Sequence, residues 1–145
     1  MFLLLFWNRA GIGVLGRSFL TMSMPAALTG FAVALVGFAT AVWARVSLGR
    51  FWSDKVVLQS GHELVSAGPY ARMRHPIYSG VLLGVLGTAI VLGQWRGLLS
   101  FALLLVNYAI KARKEEHLLA SQFGSGFREH QSRTGFLLPR FRPVR

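Results

Sequence analysis

The chain has 145 residues, room for one domain, and only 14% of them are charged against roughly a quarter in a soluble domain. With 53% hydrophobic residues and a mean hydropathy of +0.48, its formal charge of +11 falls between and after apolar runs, which favours a membrane protein over a nucleic-acid binder. The absence of cysteine excludes a disulfide framework, a thiolate nucleophile and a thiolate metal site.

Residues 2–22 open the chain with an apolar stretch interrupted by Asn8, Arg9 and Arg17. Its apolar start precedes Arg9, the reverse of a cleavable signal, so it is expected to stay in the mature protein. Arginine at mid-membrane costs at least about 2.5 kcal/mol. The segment is assigned as a spanning helix, with a helix lying in the interface as the competing form. A span needs about 20 mostly apolar residues. Residues 25–44 supply them without a charge, with Pro25 suited to a first helical turn and Arg45 closing the run. Ala26, Gly30, Ala34, Gly37 and Ala41 recur at helical spacing and offer a face for close helix approach. Residues 77–93 form the next span after Pro76, with a second small-residue stripe at Gly80, Gly84 and Gly87. A turn at residues 94–97 returns the chain through 98–110, and that helix is expected to continue to Leu119 as the second arm of an antiparallel hairpin.

Five basic residues lie in 45–74 and eight from Lys111 onward, whereas the 94–97 turn has only Arg96. The positive-inside rule puts the 45–75 connection and the tail on the cytoplasmic side. Two polar segments therefore share a side. One holds Gly61-His62-Glu63-Leu64-Val65-Ser66-Ala67-Gly68-Pro69-Tyr70, then Arg72-Met73-Arg74-His75-Pro76-Ile77-Tyr78. Gly68-Pro69 predicts a turn, Pro76 biases His75 to an extended conformation, and the free N–H groups of the following helix can hold an anion. By residue type alone Arg72, Arg74 and His75 read equally as interfacial anchors. The other segment holds Lys111, Arg113, Lys114, Glu115, Glu116 and His117 on a helix leaving the membrane. Its adjacent glutamates project about 100° apart and are expected to serve different roles, while Lys111 and Glu115 share a face. A solvated, salt-bridged helix end is the plainer account of that run. No metal-ligand spacing, phosphate loop or nucleophile elbow is present, and no metal is expected.

The run His62-Glu63-Leu64-Val65, Gly68-Pro69-Tyr70 and Arg74-His75-Pro76-Ile77-Tyr78-Ser79-Gly80 resembles the isoprenylcysteine carboxyl methyltransferase family. Leu48-Gly49-Arg50-Phe51-Trp52-Ser53 before it, and Glu115-Glu116, Leu118, Phe123-Gly124, Phe127 and Leu138-Pro139 after it, are similar too, so the resemblance covers residues 48–139. It implies a compact helical membrane enzyme using S-adenosylmethionine and releasing S-adenosylhomocysteine. By motif, His62, Glu63, Leu64, Val65, Tyr70, His75, Pro76, Ile77, Tyr78 and Glu115 would line the cofactor pocket. Where the family places a substrate-binding arginine, this chain has Lys111, with Arg113 close by on another face; Phe127 and His130 stand where tyrosines are more usual.

Together these readings give an all-α fold, a polytopic bundle of about four membrane helices in one domain over 1–145. Residues 1–47 are its N-terminal helices and 48–139 its catalytic region. The expected activity is methylation of a carboxylate on a lipophilic or lipid-modified substrate, at the cytoplasmic side of the cell (inner) membrane, among membrane lipids and without nucleic acid. A carboxylate acceptor is already deprotonated near neutral pH and needs only alignment and exclusion of water. Methylation of a phospholipid amine is the first alternative; it requires a base, for which His62, Glu63 or Tyr70 would serve. A non-catalytic helical membrane subunit is the second.

Overall fold

The computed structural model describes residues 16–21, 23–49 and 64–141. It is all-helical: α1 covers Met24–Leu48, α2 Pro76–Leu92, α3 Trp95–Phe123 and α4 Ser125–Arg133, with a 3-10 turn at Gly68–Ala71. Among the described residues β-pairing is confined to two isolated bridges, Ser18 with Gln94 and Met73 with Gly135. By its contacts the chain forms two compact units, one from residues 1–39 and 80–108, the other from 40–79 and 109–145.

α1 has the length and apolarity to cross a bilayer, with a mean hydropathy of 1.9 over its best window, of which only 11% is buried. The low burial separates it from the core helix of a soluble protein. Its large side chains Phe31, Leu35 and Phe38 face outward, while its small residues Gly30 and Gly37 are buried. Large outside and small inside suits a helix whose solvent is lipid, where close packing of small residues replaces the hydrophobic drive between helices. In the first unit that small face meets α2. A Cβ on Gly37 would lie 2.5 Å from the backbone nitrogen of Gly84 and 2.6 Å from the carbonyl oxygen of Gly80. A Cβ on Gly87 would run into the backbone of Ala34 and Gly30. The two stripes recognised in sequence therefore interlock.

α2 and α3 form the expected antiparallel hairpin, but its turn is tighter than residues 94–97. Gly93, at φ 61°, reverses the chain, and α3 begins at Trp95. The positive φ lets the Gly93 amide bond back to the Ala89 carbonyl at 3.0 Å while its own carbonyl accepts from Phe19 at 2.8 Å. Residues 17–21, expected within a helix ending at Met22, are irregular. They pair instead with the turn, through Trp95 N–H to Arg17 carbonyl at 3.3 Å and the Phe19 ring 5.5 Å from that of Trp95. Residues 2–15 and 22 of that expected helix lie outside the described residues. Of the four expected spans, α1 alone among the described residues passes as a span by itself; α2 is apolar but has 17 residues.

In the second unit, α3 runs on past Ile110 to Phe123, further than the expected Leu119, and α4 folds back through Gly124. Phe127 anchors α4 at 2% exposure. Residues 134–140 then lie beside residues 72–75, with Arg74 N–H to Gly135 carbonyl at 2.9 Å, Gly135 N–H to Arg72 carbonyl at 3.0 Å and His75 N–H to Phe136 carbonyl at 3.3 Å.

The glycine contact predicts opposite outcomes on its two helices. Gly37→Ala forces a methyl group into backbone and is expected to destabilise by about 1–3 kcal/mol. Gly84→Ala, whose Cβ meets nothing within 4 Å, is expected to be neutral or stabilising. Thermal unfolding in detergent measures both, and equal midpoints would refute the close contact.

Candidate active site

His75 is the centre of a polar cluster lying wholly in the second unit. Pro76 opens α2 and removes an N–H that would have no partner there, so His75 sits at the last non-helical position, with its carbonyl accepting from Ser79 N–H at 3.0 Å. The His75 side chain is 4% exposed. Its ring stacks on Tyr78 (centroids 5.5 Å apart, planes 11° apart) and meets Phe136 edge-on at 5.2 Å.

A carboxylate lies at each ring nitrogen. Glu116 Oε1 is 3.2 Å from Nε2, and Glu115 Oε2 is 3.7 Å from Nδ1. Consecutive residues on α3 diverge by about 100°, and that divergence lets Glu115 and Glu116 reach opposite edges of one imidazole. Glu115 Oε2 also accepts from the Tyr78 hydroxyl at 3.1 Å, and its side chain is 38% exposed. Glu116 is only 14% exposed. Its Oε1 also takes Arg74 Nε at 2.5 Å, and its Oε2 takes Gln131 Nε2 at 3.5 Å. Arg74 Nη1 donates to the carbonyls of Thr134, at 2.7 Å, and Gln131, at 3.2 Å, and the guanidinium lies over the Phe136 ring at 5.8 Å. The Ser79 hydroxyl donates to the Leu137 carbonyl. Residues 131–137 are thus tied to the start of α2 through side chains as well as backbone.

Charge follows this geometry. Burial pushes the Glu116 carboxyl up, but hydrogen bonds from His75 and Arg74 and the Arg74 charge outweigh it, and the net shift is below the ordinary carboxylate value. His130 is pushed down, first by burial and then by the Arg74 charge. The Tyr70 phenol is pushed far up by burial, with the Glu115 charge adding and the Arg45 charge opposing.

The structure brings together His75, Tyr78, Glu115 and Lys111, whose Nζ is 5.7 Å from the Tyr78 ring centroid. Pro76 is fully buried and Ile77 half-buried beside them, and Tyr70 is buried in the 3-10 turn expected at Gly68-Pro69. Leu64 and Val65 are half-buried in the irregular segment leading to that turn, while Arg113 is exposed. His62 and Glu63 lie outside the described residues. Sequence reasoning gave no site role to Arg74, Glu116, Gln131, Thr134 or Phe136. The signal for the first two was present, since an Arg-His pair and a Glu-Glu pair, each adjacent in sequence, can interlock charge for charge.

The sequence model of the phospholipid methyltransferase family matches residues 25–126. Protein-S-isoprenylcysteine O-methyltransferase B of Arabidopsis thaliana is 31% identical over 107 residues, 72% of this chain and 54% of that protein. A cobalt-zinc-cadmium resistance protein of Cupriavidus metallidurans is 34% identical over 97 residues, 65% of this chain and 44% of its own length. Among solved structures, the eukaryotic intramembrane Ras methyltransferase, an isoprenylcysteine carboxyl methyltransferase, superimposes with a TM-score of 0.73 at 27% identity, over 79% of this chain and 42% of that one. The chain spans about half the length of these relatives.

The titrations set an acid limit on the second unit. Glu116 has a lowered folded pKa, so its stabilisation is present above its ordinary value of 4.5 and is lost as pH falls through the lower folded value. His130 is also lowered from 6.5, so below that pH the unfolded chain takes up a proton that the folded chain resists, and stability again falls with pH. The thermal midpoint is expected to drop in two stages, the first as pH falls below 6.5 and the second as it falls below 4.5, by about 3 °C per kcal/mol lost. His130→Gln should remove the upper stage and Glu116→Gln the lower. A flat profile in the native protein would refute both assignments.

Proposed function

Because the chain belongs to the phospholipid methyltransferase family, we propose that it is an integral membrane methyltransferase that uses S-adenosylmethionine to methylate a carboxylate on a lipophilic or lipid-modified acceptor. The observation that carries this reading is the set His75, Tyr78, Glu115 and Lys111, assembled from the first turn of α2 and one face of α3. The donor set fits the cofactor. Glu115 is a partly exposed carboxylate for a cationic amino group, and the N–H groups opening α2 suit a carboxylate. When bound, S-adenosylmethionine would supply an electrophilic methyl group on a sulfonium, suited to in-line transfer to an acceptor oxygen with the neutral thioether S-adenosylhomocysteine as leaving group.

The chain's own residues then have modest tasks. Lys111 attracts and aligns the acceptor carboxylate. Tyr78, stacked on His75 and bonded to Glu115, holds one wall of the site. No base is required, which agrees with a Tyr70 phenol raised far above its ordinary value and so poorly suited to taking a proton. In this reading α1, α2 and the apolar half of α3 cross the membrane, and the site faces the cytoplasm.

The family's description favours a second reading, methylation of a phospholipid amine. Calorimetry with S-adenosylhomocysteine and turnover on carboxylate and amine lipids test both. Glu115→Ala and His75→Ala should each weaken S-adenosylhomocysteine binding by at least about tenfold, or ~1.4 kcal/mol. For a carboxylate acceptor, Lys111→Arg should keep or raise activity, because a guanidinium grips both oxygens, and Lys111→Glu should abolish it with cofactor affinity retained. Full activity of Lys111→Glu on an amine lipid would decide for the second reading. No binding by the native protein would leave the helical-subunit alternative.

Orientation has its own test. The chain has no cysteine, so Ser60→Cys and Ser125→Cys each give a single label site. Both should resist an impermeant reagent added outside intact cells and react after lysis. Labelling of either from outside would reverse the assigned topology.

A further inference from the structure

We infer that Glu116 is a positioning residue that fixes the orientation and tautomer of His75, leaving Glu115 as the member of the pair that meets ligand; this rests on the methyltransferase reading above. The two carboxylates lie on one imidazole but differ in access. Glu115 is 38% exposed, whereas Glu116 is 14% exposed and has both oxygens engaged, Oε1 by Arg74 and His75 and Oε2 by Gln131. A ligand at Glu116 would compete with those donors, whereas Glu115 offers the more open carboxylate.

An ionised carboxylate can only accept, so the proton at the His75–Glu116 contact belongs to Nε2. The hydrogen bond made by one ring nitrogen sets the chemistry presented by the other. Glu116 therefore determines what Nδ1 offers toward Glu115 and whatever binds there. The ring has little freedom to turn, with Tyr78 stacked on its face and Phe136 at its edge. Arg74 holds Glu116 in place and is itself fixed by the Thr134 and Gln131 carbonyls, so the tautomer of His75 depends on a residue 41 positions along the chain.

The full chain in lipid nanodiscs, with nitrogen-15 histidine, allows three readouts: imidazole shifts for the tautomer, calorimetry with S-adenosylhomocysteine, and thermal midpoint. The native protein should show His75 protonated at Nε2. Glu116→Ala should lose that preference and weaken S-adenosylhomocysteine binding about tenfold, ~1.4 kcal/mol. Its KM for the acceptor, measured at saturating cofactor, should be unchanged. Glu116→Gln keeps an oxygen for Nε2–H and should hold both tautomer and affinity near native while lowering the midpoint. Glu129→Gln, which removes an exposed pair with Arg133, should change none of the three. Glu116→Ala with native tautomer and affinity would overturn the inference. So would Glu116→Gln binding as poorly as Glu116→Ala with its tautomer intact, since Glu116 would then be acting on ligand directly. If the native protein fails to bind S-adenosylhomocysteine, the methyltransferase reading falls, and the tautomer in the two Glu116 variants still decides the positioning role.

Discussion

The second unit depends on the ion pair between Arg74 and Glu116. Both side chains are nearly buried, at 11% and 14% exposure, so both have lost most of their hydration. Such a pair adds little net stability over well-packed apolar residues, yet breaking it by removing one partner typically costs about 3–5 kcal/mol, because the survivor is left buried and charged. Its value lies in specificity. Once Arg74 is committed to Glu116 and to the carbonyls of Gln131 and Thr134, the start of α2, the middle of α3 and the end of α4 can meet in one register only. His75 inherits its place from that register.

The first unit is organised by a different force. Its helices approach through Gly30, Gly37 and Gly87, where side chains are absent and backbone meets backbone, and present Phe31, Leu35 and Phe38 outward. Removing side chains from the contact and adding them to the outer face is the arrangement a bilayer favours. The same composition that raises the mean hydropathy thus appears in the fold as an exterior, while the second unit holds the nearly buried Arg74–Glu116 pair.

Helix positions were legible because they rest on local rules. Apolar length, Pro76 at a helix start and the glycine stripes each act over a few residues, and α1 and α2 differ from expectation by four residues or fewer at their ends. The hairpin turn tightened because Gly93 adopts a positive φ, which sequence permits but does not require. Residues 17–21 departed from helix because the hairpin turn offers their backbone partners far along the chain, an interaction without a local trace. In the site, the family motifs marked His75, Tyr78 and Glu115. They gave no warning that Glu116 faces the same ring, since a 100° divergence was read as separation when it also describes two sides of a small target. Phe136 and Thr134 escaped because their contribution is positional: they lie beside residues 72–75 through backbone bonds that any sequence could make.

The pairing of residues 134–140 with residues 72–75 also orders events during synthesis. A helix as long and apolar as α1 can enter a membrane as it leaves the ribosome, stabilised by its own hydrogen bonds. Arg74 and His75 have no such opportunity. The carbonyls that hold them come from residues 131–136, so they remain exposed to water or to chaperones while some sixty further residues are made. A nascent chain therefore carries no assembled cluster around His75 until residues 131–136 have been released and folded back.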